Sequence, residues 1–178
     1  MDNGTKLEAV LRYHERTKHH FNRYARGPGQ LDWANQPNPF RRYAGAPELA
    51  LPLLGADEKP LSPRYDNLHR AGSVPSAPLD LHSLSRLFEY SLAISAWKQA
   101  GTTRWALRCN PSSGNLHPTE AYLLVGALAG LSNRPGLYHY AAREHGLERR
   151  ADLPPRWFAE LKGDLSSQAF LLGLASIH

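Results

Sequence analysis

One stretch of the chain, RCNPSSGNLHPTEAYLLV at residues 108–125, gathers polar side chains and turn-forming residues just before an apolar run. A short helical turn at its two serines would direct free backbone N–H groups toward an anion or a polar ring edge. Gly114 would let a ligand approach the backbone, and Asn115 offers both a donor and an acceptor. Arg108 adds a planar cationic fork. The pattern is typical of a polar cradle, and equally of a plain strand–turn–strand connection capped by serine and asparagine.

Other chemistries fit this stretch less well. It contains neither the G-x-S-x-G frame of a nucleophile elbow nor the G-x-x-x-x-G-K-[ST] frame of a phosphate loop. His117 and Glu120 would share a helical face as metal ligands, but Pro118 and the strand pattern behind it argue against a helix. We therefore predict no metal site, a structural role for His139 and His145, and a partly buried thiol at Cys109.

Hydrophobic periodicity predicts a mixed order of helices and strands around this stretch. Helices are predicted over residues 5–18 and 80–99, with Asp80 capping the second and Gly101 near its end. A third helix is predicted to open at Pro154 and Pro155. Strands are predicted at 102–107, 120–125 and 137–140, with a turn at 132–136 before the last, and the apolar run 170–177 is predicted to be a buried strand.

The chain divides by composition into three predicted parts. Residues 1–24 form a helix and basic arm, and residues 25–80 form an extended segment that holds nine of the fourteen prolines. Such a long segment with few regular elements is typical of an arm that wraps a surface or covers a partner. Residues 81–178 form the first part of a domain that we expect to be truncated, because the last apolar strand would still need neighbours beyond His178.

Composition limits the classes of function. The 178 residues are 42% hydrophobic and 21% charged, with a net charge of +5, which is ordinary for a globular protein. The basic excess lies near the N-terminus without the interleaved aromatic residues of a nucleic-acid site, so we predict no nucleic-acid partner. No apolar run is long enough for a bilayer, the start is not a secretory signal, and the single cysteine fits a reducing cytoplasm.

The motifs resemble those of a known family. The stretch RCNPSSGNLHPTEAYLLV, followed by GLYHYAAREHGLERR from Gly136, is similar to the nitroreductase superfamily and specifically to its SagB-type dehydrogenase branch. That branch carries R-x-x-P-S-[SA]-G before a strand, then G-L-Y-H-Y and H-x-L elements in the same order. Tyr13-His14 with Thr17-Lys18 also resembles the opening of long members. The resemblance is strong over residues 81–177 and implies the N-terminal part of a longer protein.

The resemblance implies a fold, a cofactor and a set of site residues. The fold is α+β, with a central, mainly antiparallel sheet flanked by helices and incomplete at the C-terminus. FMN would lie at the interface of a homodimer or of an intramolecular pseudo-dimer. The family's Arg-x-Ser-x-Arg phosphate clamp has only partial counterparts, RRY at 41–43 and SPRY at 62–65. The residues expected to bind FMN are Arg108, Pro111, Ser112, Ser113, Gly114, Asn115 and His117.

Two functions follow from the resemblance. The first is an FMN-dependent oxidoreductase that transfers hydride through the flavin, from NAD(P)H or from a small-molecule or peptide substrate, with azoline rings in peptides as the sharper expectation. The second, suggested by the incomplete clamp, is a catalytically silent flavin-fold domain that acts as a scaffold or binds a partner. The sequence singles out no catalytic acid or base. A fragment alone would be inactive if the second half of a pseudo-dimer is needed to complete the FMN site.

Overall fold

The computed structural model describes residues 3–27, 29–30, 32–35, 37–55, 58 and 63–177, divided into the units Met1–Gln36 and Pro37–His178. The first unit is built on helix α1, Asn3–Thr17, and a single 3₁₀ turn, Trp33–Asn35. The predicted helix at 5–18 is confirmed. Its last turn carries His14 and Arg16, where positive charge suits the carboxyl end of a helix.

The second unit is organised around a five-stranded antiparallel sheet. Its strands are β1 Glu48–Ala50, β4 Thr119–Val125, β5 Gly136–Ala141, β6 Gly146–Asp152 and β7 Leu171–Ser176, in the spatial order β1-β6-β5-β4-β7. Strands β4, β5 and β6 follow one another along the chain and form the centre, while β1 and β7 form the edges. The predicted strands at 120–125 and 137–140 are confirmed, and the mixture of helices with an antiparallel sheet agrees with the predicted α+β class.

Helix α2, Leu81–Ser91, covers one face of this sheet. Leu84 and Phe88 are almost completely buried against strand residues such as Leu123 and Leu147. The predicted cap is confirmed, because the Asp80 carboxylate accepts a hydrogen bond of 2.7 Å from the Ser83 backbone N–H. That hydrogen bond lowers the pKa of Asp80.

The predicted extent of this helix is wrong. The helix ends at Ser91, and residues 94–100 form a strand instead of its last two turns. Strand β2, Ile94–Ala100, pairs with β3, Thr103–Arg108, in a two-stranded antiparallel sheet around Gly101, which has a positive φ. The predicted strand at 102–107 is thus confirmed, as half of a hairpin whose other half was predicted to be helical.

The other strands of the five-stranded sheet, β1, β6 and β7, also differ from expectation. Neither β1 nor β6 was predicted, since β1 lies inside the proline-rich segment and β6 has the charged sequence GLERRAD. Strand β7 exists as predicted, but it is not buried, and Leu174 keeps 66% of its surface exposed. It pairs with β4 on one side only, so one of its edges meets no described strand.

The remaining helix of the second unit follows the central strands of the sheet. Helix α3, Pro155–Lys162, begins with Pro155 as predicted, since proline tolerates the first helical turn. Among the described residues, none of the helices combines the length and the apolar character that a bilayer span requires. The predicted division at residues 24 and 80 stays a prediction.

Candidate functional site

The polar stretch forms the loop that leads from β3 into β4. A single 3₁₀ turn, Ser113–Asn115, lies at its centre. Three residues of the loop have left-handed backbone, Gly114 at φ 66°, Asn115 at φ 57° and His117 at φ 47°. Such conformations are uncommon outside glycine and asparagine and persist only where the surroundings hold them. The loop is therefore a constrained structure, and its side chains show what constrains it.

The loop is tied to the outer edge of β3. The carbonyl oxygen of Ala106 accepts hydrogen bonds from Asn115 Nδ2 at 3.0 Å and from His117 Nε2 at 3.2 Å. Ser112 Oγ accepts a third bond, of 3.0 Å, from the His117 backbone N–H. The amide of Asn115 and the hydroxyl of Ser112, both predicted to face a ligand, therefore hold the loop in shape. Ser112 does not cap the 3₁₀ turn with its side chain.

His117 is the buried centre of the loop. Only 2% of its surface is exposed, and burial lowers the pKa of the ring, so the neutral form is favoured. Because Nε2 points at a carbonyl oxygen, that nitrogen carries the proton, and Nδ1 is left as an acceptor. Nδ1 is buried and has no hydrogen-bond partner among the described residues. A buried acceptor without a donor is costly, which makes this atom a candidate contact for a bound molecule.

Arg108 lies at the base of the loop and is 7% exposed. Its terminal nitrogens donate to the backbone carbonyls of Pro39 and, at 3.4 Å, of Thr119. Burial lowers the pKa of its guanidinium, and the negative charge of Glu120 opposes that effect. Its Nε atom and the side-chain oxygen of Asn110 are buried without partners among the described residues. The loop thus presents one unpaired donor and two unpaired acceptors.

A cavity of about 270 Å³ adjoins the buried histidine. Three of its six lining residues come from the end of the loop, directly before β4, and the others are residues 37 and 38 and the residue that follows β7. They are Pro37, Asn38, Leu116, His117, Pro118 and Ile177. The wall is mostly apolar with polar groups at a few points, as is typical of small-molecule sites.

The other predicted loop residues form the rim. Pro111, Ser113 and Gly114 are exposed to solvent. A Cβ placed on Gly114 would meet nothing closer than the Leu116 side chain at 3.6 Å, so no neighbour crowds this position. Its left-handed φ of 66° accounts for the glycine.

Behind the loop lies a buried row of charged side chains on the central strands. His139 on β5 contacts a carboxylate with each ring nitrogen, Glu120 Oε2 with Nε2 and Glu148 Oε2 with Nδ1, the latter at 2.8 Å. All three residues are at most 4% exposed. A neutral imidazole donates from one nitrogen only, so the arrangement suits a doubly protonated ring between two carboxylates.

Arg42 anchors the outer end of this row. It donates from Nε to Glu148 and from Nη2 to Glu48, each at 2.6 Å, and lies 2.8 Å from Glu144. Glu48 and Glu148 are directly opposite one another on β1 and β6, a repulsive pair that the guanidinium bridges. Burial would raise the pKa of Glu148, but the bonds from Arg42 and His139 and from the Tyr43 backbone lower it.

The bridging role of Arg42 bears on the predicted phosphate clamp. Its guanidinium already forms ion pairs with three carboxylates of the protein, so it is not free to bind a phosphate. Arg41 lies beside the hydroxyls of Tyr122 and Tyr43, which raise its pKa. Arg64 of the second partial clamp precedes a 3₁₀ turn at Tyr65–Asn67 and is exposed, and Ser62 lies outside the described residues.

A second buried network surrounds His145, in the turn between β5 and β6. Its Nε2 lies 2.8 Å from Ser85 Oγ and its Nδ1 lies 2.8 Å from the Tyr140 hydroxyl. The Ser85 hydroxyl donates to the carbonyl of Pro52, so Nε2–H donates to Ser85 and Nδ1 accepts from Tyr140. Burial lowers the pKa of His145 and raises that of Tyr140, which suits neutral partners.

The sequence did not reveal all of these residues. Glu148 was missed, although its place directly after a small and an apolar residue, in GLE, was a signal for a paired charge in the interior. Cys109 is exposed, so the predicted partial burial of its thiol is wrong; β3 ends at Arg108, just before it. Within the described part of the chain, no group of three or more His, Cys, Asp or Glu side chains is arranged to hold a metal ion.

Comparisons with known proteins find similarity to a solved structure. No protein-family model and no curated protein matches the chain. A solved structure from Anabaena variabilis ATCC 29413, described as "a putative nitroreductase", is similar, with 29% identity and a TM-score of 0.50. The match covers 81% of this chain and 26% of that one, so the chain spans about a quarter of the solved protein. The two-layer arrangement of α2 on an antiparallel sheet is therefore a nitroreductase-like fold.

Proposed function

We propose that this chain is part of a flavin-dependent oxidoreductase of the nitroreductase kind, and that the loop at residues 108–117 contacts FMN. The observation that carries the proposal is the set of unpaired buried atoms in that loop, Arg108 Nε, Asn110 Oδ1 and His117 Nδ1. The edge of a flavin ring alternates donors and acceptors, which is the complement of such a set. The nitroreductase-like fold and the motif R-x-x-P-S-S-G support the same conclusion.

The loop residues would divide the work of holding the cofactor. His117, fixed in one tautomer by Ala106, would accept a hydrogen bond at Nδ1. Arg108 would supply positive charge close to the ring, where it favours the anionic reduced state. The exposed backbone at Ser113 and Gly114 would lie against the ring face, since no side chain covers Gly114. Bound FMN would supply the hydride chemistry, and the protein the orientation and electrostatics.

The finer parts of the function rest on the sequence resemblance. They are a SagB-type dehydrogenase activity, azoline rings in peptides as substrates, NAD(P)H or substrate as hydride donor, a cytoplasmic location, and a homodimeric or pseudo-dimeric assembly that completes the FMN site. Because the chain spans 26% of the solved relative, these are proposals for a larger protein.

The commitment of Arg42 to three glutamates favours a second candidate, a flavin-fold scaffold without catalysis. The phosphate of FMN would then find no prepared guanidinium at residues 41–43 apart from Arg41. Retention of flavin separates the two candidates. The catalytic proposal expects a flavin absorbance band in the purified protein, and the scaffold proposal expects none.

The test is equilibrium titration of FMN, followed by quenching of flavin fluorescence. We expect His117→Leu to weaken FMN binding about tenfold or more, because it removes the Nδ1 contact, worth roughly one hydrogen bond in a buried site, together with the Nε2 bond to Ala106 that holds the loop. His82→Leu is the matched control, because its side chain is 41% exposed and it lies on α2. Equal FMN affinity in wild type and His117→Leu would mean that the loop does not contact FMN.

A second pair of variants tests the rim and the loop tether. Asn115→Ala removes the bond to Ala106 and should weaken FMN binding by loosening the loop. Gly114→Val adds a branched side chain at a left-handed φ of 66°, so Gly114→Asn, which tolerates this backbone, separates strain from obstruction. If both Gly114 variants fold and bind FMN like wild type, the cradle lies elsewhere.

A further inference from the structure

The β2–β3 hairpin carries positive charge, and the outer edge of its strand β2 is open. Its residues 94–108 include Lys98, Arg104 and Arg108 and no acidic residue. Every residue of β2 after Ile94 is exposed, and β2 pairs with β3 but with no other described strand. Open strand edges present unpaired backbone donors and acceptors and are templates for another strand.

The loop contacts determine which β2 backbone groups face outward. The Ala106 carbonyl on β3 points away from β2, because it accepts bonds from Asn115 and His117 on the far side. Ala106 and its β2 partner Trp97 are therefore a pair that exchanges no backbone hydrogen bonds, and so are Arg104 and Gln99. In such a pair both residues direct N–H and C=O outward. The β2 edge, defined by Trp97 and Gln99, thus offers two donors and two acceptors.

A row of arginines stacked on aromatic rings lies beside this edge. The Arg104 guanidinium lies 4.4 Å from the centre of the Trp97 ring, and the Trp97 and Phe40 rings lie 6.1 Å apart. Arg108 and Arg143 lie over Phe40 at 5.2 and 5.8 Å. Neither Arg104 nor Arg143 forms an ion pair with a carboxylate of the described residues. Stacking orients guanidinium groups while leaving their N–H edges available to anions.

We propose that the β2 edge binds an extended acidic peptide segment of a partner protein as an added strand, with carboxylates of the peptide pairing with Arg104 and Arg143. Backbone bonds to Trp97 and Gln99 would give the segment its direction, and alternate acidic side chains would give selectivity. The proposal does not depend on flavin binding, because none of its contacts uses the unpaired atoms of the loop.

The chemistry of the edge favours this occupant over two others. A second copy of the same strand would bring Lys98 of β2 close to its own counterpart, which like charges oppose. Single-stranded nucleic acid binds by stacking bases on open aromatic faces, but Arg104 already lies over Trp97 and two arginines lie over Phe40. An acidic peptide needs only the guanidinium edges and the backbone groups.

The test is fluorescence anisotropy of the full chain with a labelled peptide of about 10 residues, the length of a long strand, that alternates glutamate with valine and threonine. Three competitors are compared with it. Two are variants of the same peptide, one with glutamine for glutamate and one N-methylated at alternate backbone amides. The third is an oligothymidylate of equal charge. We expect the glutamine and N-methylated peptides to bind at least about tenfold more weakly than the acidic peptide. We expect the oligothymidylate not to displace the acidic peptide.

Variants test the arginines without disturbing the hairpin backbone. Arg104→Gln with Arg143→Gln should weaken peptide binding about fivefold, as expected for two exposed ion pairs, and Arg156→Gln on α3 should leave it unchanged. Circular dichroism and thermal melting check that each variant folds. No binding of the acidic peptide, equal binding of the glutamine or N-methylated peptide, or displacement by oligothymidylate would each overturn the proposal.

Discussion

Two buried histidines, His139 on β5 and His145 in the turn that follows it, lie six positions apart and have opposite kinds of neighbour. His139 is 1% exposed and lies between two carboxylates, which are themselves buried. His145 is 6% exposed and lies between two hydroxyl groups. The ring of the first site contacts a carboxylate with each nitrogen, and the ring of the second contacts a neutral hydroxyl with each nitrogen.

The difference shows how neighbours decide what a buried histidine does for stability. Around His139, removal of the ring would leave two carboxylates in the interior with Arg42 reaching only one of them. Around His145, removal would leave two neutral hydroxyls without one partner each. An unpaired buried charge costs more than an unpaired buried hydroxyl. We therefore expect substitutions at the two sites to lower the free energy of unfolding by different amounts.

The largest effect is expected from His139→Leu. It leaves Glu120 and Glu148 buried without their shared partner, and losing one member of a buried ion pair costs about 3–5 kcal/mol. Urea unfolding at neutral pH measures the loss in the free energy of unfolding, with His82→Leu, whose side chain is 41% exposed, as control. A free energy of unfolding close to that of wild type would show that the carboxylates find other partners.

A smaller effect is expected from His145→Asn. Asparagine tolerates the left-handed φ of 49° at this position, so the variant reports on the hydrogen bonds and packing of the ring and not on backbone strain. Loss of partners for Ser85 and Tyr140 should cost about 1–3 kcal/mol in the same unfolding assay. A loss as large as that of His139→Leu would contradict the distinction between the two sites.

Tyr140→Phe should cost less again, about 0.5–1.5 kcal/mol, the net value of one hydrogen bond. The ring stays stacked on Phe88, whose centre is 4.4 Å away, so only the bond to His145 Nδ1 is lost. Tyr90→Phe is the matched control, because Tyr90 is 56% exposed. If Tyr140→Phe is neutral while His145→Asn is costly, the Ser85 side of the network carries the stability.

The smallest expected difference lies in the pH dependence. Burial lowers the pKa of His145 in the folded state below its value of about 6.5 in the unfolded chain. As the pH decreases, the unfolded chain binds a proton at His145 before the folded chain does. The stability that His145 contributes as a neutral ring is therefore fully present above about pH 6.5 and falls as the pH decreases. Unfolding of wild type and His145→Asn between about pH 5 and 7.5 should give a flatter profile for the variant. Parallel profiles would mean that His145 does not titrate on unfolding.

Part of the fold could be predicted from local signals alone. The capping residue Asp80, the strand at β4 and the proline at the start of α3 each act within a few residues of themselves. Strand β2 could not be predicted in this way, because ISAWKQA contains good helix formers and no breaker before Gly101. Pairing with β3 decided its conformation, as tertiary contacts often override propensity.

The sequence singled out the candidate loop but not the hydrogen bonds within it. The residue types of 108–117 marked the loop, yet nothing in their order showed that Ser112 and Asn115 bond within the loop or that His117 Nδ1 is left unpaired. The glutamates that hold His139 come from β4 and β6, on either side of it in the sheet. Such partners are brought together by strand register, which the sequence of one segment does not contain.

The order of the strands also has a consequence for how the sheet assembles. Strands β4, β5 and β6 are neighbours both in sequence and in space, whereas β1 must bring Glu48 to Glu148 and β7 must bring Leu171 back to Leu124. Closing longer loops costs more entropy before any contact repays it, so we expect the central three strands to form first and the edges to join last. Amide hydrogen exchange under native conditions should then show β1 and β7 opening at lower free energy than β5, whose two neighbours protect it.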